Sequence, residues 1–191
     1  MGLLKKSKDF KDFYRKSGTH MIRISLLLII AAIVATACSH SYYIVRHAEK
    51  EQASGSNNMM SNDPALSEAG KVRAIVLKEQ LQNKHIRYIY STNTLRTKST
   101  AQPLSEAISV PVETYSSTDS LVEQLKKIKK GNVLVVGHSN TVDDIVNKLS
   151  GETKIQADLQ DAQYDNLFIV KYKGKRITFV RHKYGYPSNP E

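Results

Sequence analysis

Cysteine, proline and tryptophan are scarce in this sequence of 191 residues, which has one cysteine, five prolines and no tryptophan. A single cysteine, Cys38, has no partner within the chain for a disulfide. No cluster of histidine, cysteine and carboxylate residues has the spacing of a metal site. We therefore expect neither a disulfide framework nor a bound metal, and the length fits one domain with its own hydrophobic core.

Acidic residues are few relative to basic ones, with 18 Asp and Glu against 28 Lys and Arg and a net charge of +10. Residues 1–37 hold seven basic residues against Asp9 and Asp12, a net of +5. The lysines of the segment 126–130 are typical of a solvated helix end. Nucleic-acid binding requires a basic stripe with stacking aromatic residues, so we expect none.

Long hydrophobic runs are also absent, since a membrane-spanning helix needs roughly 20 apolar residues. The apolar run Ile24–Ala37 has 14 residues, follows a basic stretch and ends in small residues, which is the layout of a secretory signal. Ala35-Thr36-Ala37-Cys38 resembles a bacterial lipoprotein box, in which the cysteine is lipidated. We expect residues 1–37 to be a leader and lipoprotein signal peptide, or an uncleaved signal-anchor. Residues 38–191 would then form a membrane-anchored domain in the cell envelope, outside the cytoplasm.

Strand-like and helix-like segments alternate after Cys38. The pattern predicts strands at Ser41–Val45, Ile86–Tyr90, Val110–Thr114 and Asn132–Val136, and helices at Ser67–Gln82, Leu95–Ile108, Ser120–Lys130 and Thr141–Leu149. Leu167–Tyr172 and Arg176–Arg181 predict a terminal hairpin. This order indicates a three-layer α/β/α domain with a mostly parallel central sheet and a C-terminal antiparallel hairpin.

Two of the predicted strands run directly into a turn that carries a histidine. Arg46-His47 follows the first strand, and Gly137-His138 follows the fourth. Ligands of open α/β sheets bind beyond the carboxyl ends of the strands. Guanidinium groups bind anionic oxygens bidentately, and imidazole is a nucleophile at neutral pH. The two turns therefore predict a site for an anionic group.

Four segments, in order along the chain, resemble the motifs of the histidine phosphatase superfamily, also called phosphoglycerate mutase-like. Arg46-His47-Ala48-Glu49 resembles its Arg-His-Gly-Glu/Gln signature, with alanine in place of glycine. The other three are Leu66-Ser67-Glu68-Ala69-Gly70, the segment Ser91–Ala101 with Arg96, and Gly137-His138-Ser139. The compact size without a cap domain is similar to the small branch that includes the phosphohistidine phosphatase SixA.

The resemblance implies the phosphoglycerate mutase-like fold and a cofactor-independent phosphatase of the phosphoric monoester hydrolase type. His47 would attack phosphorus and form a phosphohistidine that water then hydrolyses. Arg46, Arg96 and His138 would bind the non-bridging oxygens of the phosphoryl group together with His47. Because His47 must be neutral, its other ring nitrogen should donate to a backbone carbonyl or a similar acceptor.

The proton donor for the leaving group is the part that the resemblance leaves open. Asp119 is the nearest carboxylate after the third strand, where many members of the family carry an acid, although an aspartate there also suits a helix cap. Glu49 is a second carboxylate near the nucleophile and could orient the loop. Ser139-Asn140 excludes an aspartate directly after the second histidine.

Two functions follow as expectations. The first is hydrolysis of a phosphomonoester or phosphoramidate, with a small phosphorylated substrate or a phosphoprotein as partner. The alternative is a non-catalytic envelope lipoprotein that binds phosphorylated ligands in the same pocket. In either case, the membrane would be reached through a lipid anchor at Cys38 or a signal-anchor. Arg181-His182 repeats the Arg-His dipeptide without any companion motif, and we interpret it as surface.

Overall fold

The computed structural model of the protein describes residues 39–52 and 63–188. The predicted leader and signal segment, and Cys38 itself, lie outside these residues, so the expectations about them remain predictions. Cys38–Glu191 forms a compact unit of its own. Within the described segments, no helix combines the length and the apolar character needed to cross a bilayer.

Six strands and four helices alternate along the described chain. The strands are β1 (Ser39–Arg46), β2 (Ile86–Thr92), β3 (Val112–Tyr115), β4 (Asn132–Gly137), β5 (Asn166–Lys173) and β6 (Arg176–Lys183). The helices are α1 (Glu68–Leu81), α2 (Leu95–Ile108), α3 (Thr118–Lys127) and α4 (Ser139–Ser150). Each of them overlaps a predicted element of the same type.

The strands form one sheet in the order β3-β2-β4-β1-β5-β6. Strands β1 to β4 pair in parallel, and β5 and β6 are antiparallel to their neighbours. The central strand β4 is a run of β-branched and leucine side chains without solvent exposure from Val133 to Val136, as expected for a parallel strand covered on both faces. The predicted fold class is therefore confirmed.

Helices cover both faces of the sheet. Alternate residues of β1 therefore pack into two different hydrophobic clusters, one on each face. Tyr42 and Ile44 pack in a cluster with Leu121 and Leu125 of α3 and with the apolar face of α4. Tyr43 and Val45 pack with residues of α1 and α2 on the other face. The three layers thus follow from the period of two in β1 and the helical spacing of the apolar residues around it.

Several predicted boundaries were wrong by two or three residues. Helix α3 ends at Lys127 because Ile128 is extended, and Gly131, with φ of +86°, instead forms the turn into β4. Strand β3 begins after Pro111, which has no N–H for the ladder. Helix α4 begins at Ser139, two residues before its predicted start at Thr141.

The turn after β1 is fastened to the start of α1. The backbone N–H of Ser67 donates to the carbonyl of Glu49 over 2.9 Å, and Ser67 caps the helix by accepting from the N–H of Gly70. A Cβ at Gly70 would overlap the Glu49 carbonyl oxygen, so only glycine permits this approach. The motif around Gly70 therefore holds the loop that carries His47.

Candidate functional site

The four residues predicted to bind phosphate meet at the carboxyl end of the parallel strands. Arg46 and Gly137 are register neighbours on β1 and β4, and the N–H of His47 donates to the Gly137 carbonyl over 2.9 Å. This pairing places the His47 and His138 rings with their centroids 5.4 Å apart. Arg96 enters from the first turn of α2, and one of its Nη atoms lies 3.4 Å from Nδ1 of His138.

His47 has the protonation state that a nucleophile requires. Its Nδ1 lies 2.8 Å from the Ala48 carbonyl oxygen, and because a carbonyl only accepts, Nδ1 carries the hydrogen and Nε2 the lone pair. Burial, together with the positive charges of Arg46 and Arg96, lowers the pKa of His47 to about 3. The ring is therefore neutral at pH 7, and Nε2 makes no hydrogen bond with any described residue.

The position that is glycine in the family signature tolerates alanine here. Ala48 is fully buried, and its N–H donates to Thr100 Oγ1 over 2.9 Å. Among the described non-glycine residues, positive φ angles occur only at His85 and Ser109. The turn at Ala48 therefore needs no left-handed backbone, and the methyl group packs with Leu66 and Ala74.

Arg46 is held rigidly but keeps donors unused. One Nη atom donates to the carbonyls of Gln160 and Asp161 over 2.7 and 3.1 Å, and the other to the Asp161 carboxylate over 3.2 Å. The guanidinium also lies 4.5 Å from the centroid of the Tyr164 ring. A guanidinium has five N–H groups, and Nε of Arg46 is buried without a partner in the described structure.

Arg96 has the same property on the other side of the site. One Nη atom donates to the Asp63 carboxylate over 3.2 Å, and the other faces His138, but Nε is buried and unpartnered among the described residues. Buried donors are nearly always satisfied in folded proteins. Two arginines that each keep a buried Nε–H unused beside a neutral histidine form an arrangement suited to an anion.

His138 is neutral and oriented by its neighbours. A guanidinium only donates, so Nδ1 of His138 accepts from Arg96, and Nε2–H donates to Thr92 Oγ1, 2.9 Å away. Burial, with Arg96 and Arg46 nearby, lowers the pKa of His138 to about 4. Its backbone N–H donates to Thr141 Oγ1 over 2.8 Å, which fixes the start of α4.

The fifth predicted site residue, Asp119, lies in the first turn of α3. Its carboxylate forms a 2.8 Å ion pair with Lys148 of α4, and its side chain is 78% exposed. Glu49, the other carboxylate considered, binds Arg73 through both oxygens over 2.6 to 2.9 Å. Glu49 therefore links the nucleophile loop to α1, as an orienting role requires.

Other residues of the site were missed at the sequence level. Asp63 accepts from the N–H of Leu95 over 2.7 Å and thus holds the start of α2 beside its contact with Arg96. Thr92, at the end of β2, orients His138. Asp161 and Tyr164 come from the irregular segment between α4 and β5. The proline after Asp63 and the position of Thr92 at a strand end could have indicated these two residues from the sequence. No pattern in the sequence indicates Asp161 or Tyr164.

A cavity of about 920 Å³ adjoins the phosphate-binding side chains. Tyr164 and Asp161 belong to its lining, and Tyr164 also contacts His47, with ring centroids 5.9 Å apart. Side chains of α1, including Val72 and Val76, form its apolar wall. Its size falls in the range of small-molecule sites, and it meets the phosphate end through Tyr164 and Asp161, since none of the four phosphate-binding side chains lines it.

The neutral histidines make the stability of the fold sensitive to acid. In the unfolded chain a histidine takes up a proton near pH 6.5, whereas the folded pKa values are about 3 for His47 and about 4 for His138. The unfolded state therefore binds more protons between these values, and the free energy of unfolding should fall as pH falls from 6.5 toward 4. The slope of the free energy of unfolding against pH reports how many more protons the unfolded state binds. We expect H47Q to reduce this slope by the equivalent of about one proton, which urea denaturation at several pH values will measure.

The control for this experiment is H182Q, on the exposed strand β6, which we expect to leave the pH slope intact. A slope equal in H47Q and the unmodified protein would contradict the neutral, buried state of His47.

Comparison with known proteins agrees with the motifs. Residues 42–119 match the sequence profile of the histidine phosphatase superfamily (branch 1). Phosphoserine phosphatase 1 of Hydrogenobacter thermophilus is 39% identical over 69 residues, which are 36% of this chain and 33% of that protein. The chain thus matches about a third of that relative's length.

Solved structures share the fold. The protein histidine phosphatase SixA complexed with tungstate has a TM-score of 0.59 and 18% identity, over 75% of this chain and 96% of that one. SixA from Agrobacterium tumefaciens has a TM-score of 0.55 and 16% identity, over 77% and 97%. A mycobacterial glucosyl-3-phosphoglycerate phosphatase has a TM-score of 0.55 and 14% identity, over 76% and 98%. Residues 42–119 thus match the histidine phosphatase superfamily in sequence, and the solved structures show that the described chain has the phosphoglycerate mutase-like fold.

Proposed function

We propose that the protein is a phosphatase that works through a phosphohistidine on His47. The observation that carries this proposal is a neutral imidazole, with Nε2 unused, next to two arginines whose buried Nε–H groups have no partner among the described residues. The family match and the relatives that are phosphatases support the same class of reaction.

The residues account for both chemical steps. Nε2 of His47 attacks phosphorus in line, and the bond to the leaving group breaks as the N–P bond forms. The Ala48 carbonyl, which accepts from Nδ1–H, stabilises the positive charge that the ring gains. Arg46 and Arg96 bind the equatorial oxygens, on which the transition state spreads its charge. Water then attacks phosphorus, the N–P bond breaks, and inorganic phosphate leaves with His47 restored.

His138 acts differently from His47 in this scheme. In the free protein its Nδ1 lone pair faces Arg96, so it offers no N–H to a phosphate oxygen. A phosphate dianion close to the ring favours its charged form. We infer that His138 takes up a proton when the dianion binds, and that Nδ1–H then donates to an oxygen of the substrate.

Three carboxylates, two beside the phosphate-binding arginines and the predicted acid Asp119, are held by cations, which favours leaving groups that need no proton. Asp63 accepts from Arg96, Asp161 from Arg46, and Asp119 from Lys148. Each is therefore placed as an acceptor for a cation rather than as a proton donor, and the ion pair of Asp119 argues against its predicted role as the acid. Phosphoramidates, whose nitrogen can arrive protonated, and aryl phosphates, which leave as stable phenolates, fit such a site better than alkyl phosphates.

Steady-state kinetics with three phosphate donors tests the proposal. We expect kcat/KM for phosphohistidine and p-nitrophenyl phosphate to exceed that for phosphoserine by at least about 100-fold, the usual contribution of a general acid. Equal rates on phosphoserine would overturn the substrate preference and leave the phosphatase assignment standing. Tungstate binding without turnover of any donor would overturn the assignment in favour of a phosphate-binding protein.

A further inference from the structure

The end of the sheet opposite the candidate site has a distinct charge. It comprises the amino end of β1 and the connections at 82–85, 128–131, 151–154 and 173–176, which we call the basic end. Exposed basic residues outnumber acidic ones at this end. The exposed basic residues are Lys84, Lys129, Lys130, Lys173, Lys175 and Arg176. None of these six forms an ion pair with a described residue, and the acid Glu152 is matched by Lys154 over 2.7 Å.

Hydrogen bonds and strand register bring these connections together around β1. Ser39, the first residue of β1, pairs with Lys173, and Lys173 pairs with Arg176 across the hairpin. Asn132 accepts from the N–H of Ser41 over 2.7 Å and donates to the carbonyl of Lys84. The basic end is therefore one surface that surrounds the start of β1.

Lys129 belongs to the same surface. Besides burial, its positive charge lowers the pKa of His40 on β1. The Lys129 ammonium donates to the carbonyl of Lys126 over 3.2 Å, which holds it at the end of α3.

The charges at the carboxyl end of the sheet are mostly paired instead. Four of its carboxylates form ion pairs with cations of the same end, and they are Glu49, Asp63, Asp161 and Asp165. Paired charges at one end and unpaired cations at the other give the described domain a charge asymmetry along the strands. Such an asymmetry orients a protein in the field of a charged surface.

The position of the basic end in the chain identifies its partner. Strand β1 begins at Ser39, two residues after the end of the apolar run Ile24–Ala37. Only Cys38 separates this run from β1 in the sequence, so an anchor at Cys38 or in the run would keep the start of β1 close to the lipid headgroups. Clusters of Lys and Arg that lie at the level of the lipid headgroups bind anionic lipids.

We propose that the basic end docks on an anionic lipid surface and holds the candidate active site on the side away from the membrane. Seven steps along β1 separate Ser39 from Arg46, so the site would stand about 23 Å above the start of the strand. This proposal concerns a surface that contains none of the candidate catalytic residues, and it stands or falls independently of the phosphatase assignment.

Vesicle co-sedimentation of the domain Ser39–Glu191 tests it without the apolar segment. This domain contains the three hydrophobic clusters described above, and a cooperative thermal unfolding transition will show that each variant is folded. We expect binding to vesicles of phosphatidylserine and phosphatidylcholine, no binding to phosphatidylcholine alone, and loss of binding at high salt. A basic residue near such a surface contributes about five-fold in affinity, so K129E/K173E/K175E should weaken binding at least about 100-fold.

The matched control carries the same change of charge at the other end of the sheet, K50E/K71E/K98E. We expect it to weaken binding less than about five-fold, because those residues would face away from the lipid. Equal weakening by both triple variants would show attraction by net charge alone and would overturn the proposal. Tighter binding to duplex DNA or RNA than to the anionic vesicles would also overturn it, in favour of a nucleic-acid surface.

Discussion

Replacing His47 with alanine is expected to lower kcat/KM for p-nitrophenyl phosphate by at least about 10⁴-fold, because the covalent route is then closed. The same variant should form no phosphoenzyme. Trapping requires denaturation at alkaline pH after mixing with labelled substrate, since the N–P bond of phosphohistidine is labile in acid. Turnover of H47A close to that of the unmodified protein would exclude His47 as the nucleophile.

The chain contains its own control for this experiment. Arg181-His182 repeats the dipeptide Arg46-His47 but lies on β6, where His182 is exposed and the Arg181 guanidinium stacks over the Phe168 ring at 5.2 Å. We expect H182A to keep the activity of the unmodified protein. The comparison separates an effect of the site from a general effect of removing a histidine that follows an arginine.

The comparison of these two dipeptides shows what the sequence could predict. Arg46-His47 ends a β-branched run and is followed by three companion motifs, and this order was sufficient to predict that His47 and His138 meet. Parallel strands place their carboxyl ends at one edge, so the meeting follows from topology. The acceptor on Nδ1 of His47 was predicted from the nucleophilic role that the resemblance implies, and the structure places the Ala48 carbonyl there.

The residues that surround the arginines could not be predicted in this way. Gln160, Asp161 and Tyr164 lie in an irregular segment, where neither a period of two nor a period of 3.6 reports on position. Their contacts with Arg46 depend on how that segment returns from the end of α4 to the start of β5. A motif therefore indicates which guanidinium groups are expected to bind phosphate. It does not indicate which of their N–H groups already donate to other residues of the protein.

The wrong boundary at the end of α3 has a physical origin at Gly131. Glycine commonly follows the last helical residue, so Gly131 favours the predicted helix end at Lys130. In the structure its positive φ serves the turn into β4 instead, and the side chain of Arg87 packs where a Cβ would lie. Local propensity identified a glycine with a positive φ angle. It did not identify whether that glycine ends a helix or forms the turn into the next strand.

Replacing Arg96 with alanine gives the second large effect that we expect. The loss of one preorganised donor for transition-state charge costs about 10² to 10³ in kcat/KM, and the buried, unpartnered Nε–H of Arg96 is such a donor. Tungstate affinity, measured by calorimetry, should fall with it. The control is K98A, two residues along the same helix, because Lys98 donates to Asn93 at the surface and points to no residue of the site. Tungstate affinity within about three-fold of the unmodified value would exclude Arg96 from the anion site, since a donor to an anion is worth more than that.

A second measurement on R96A distinguishes a direct electrostatic role from a structural one. Besides burial, the positive charge of Arg96 lowers the pKa of His138, and its Nη atom faces the Nδ1 lone pair. Without this charge, Nδ1 should accept a proton more readily, and the pKa of His138 should rise from about 4 toward its ordinary value, as followed by NMR of the ring. Protonated His138 would still donate to a phosphate oxygen, so the remaining affinity for tungstate should increase below the new pKa. In the unmodified protein, by contrast, we expect burial and the two cationic guanidinium groups to keep His138 neutral until the bound anion favours its protonation.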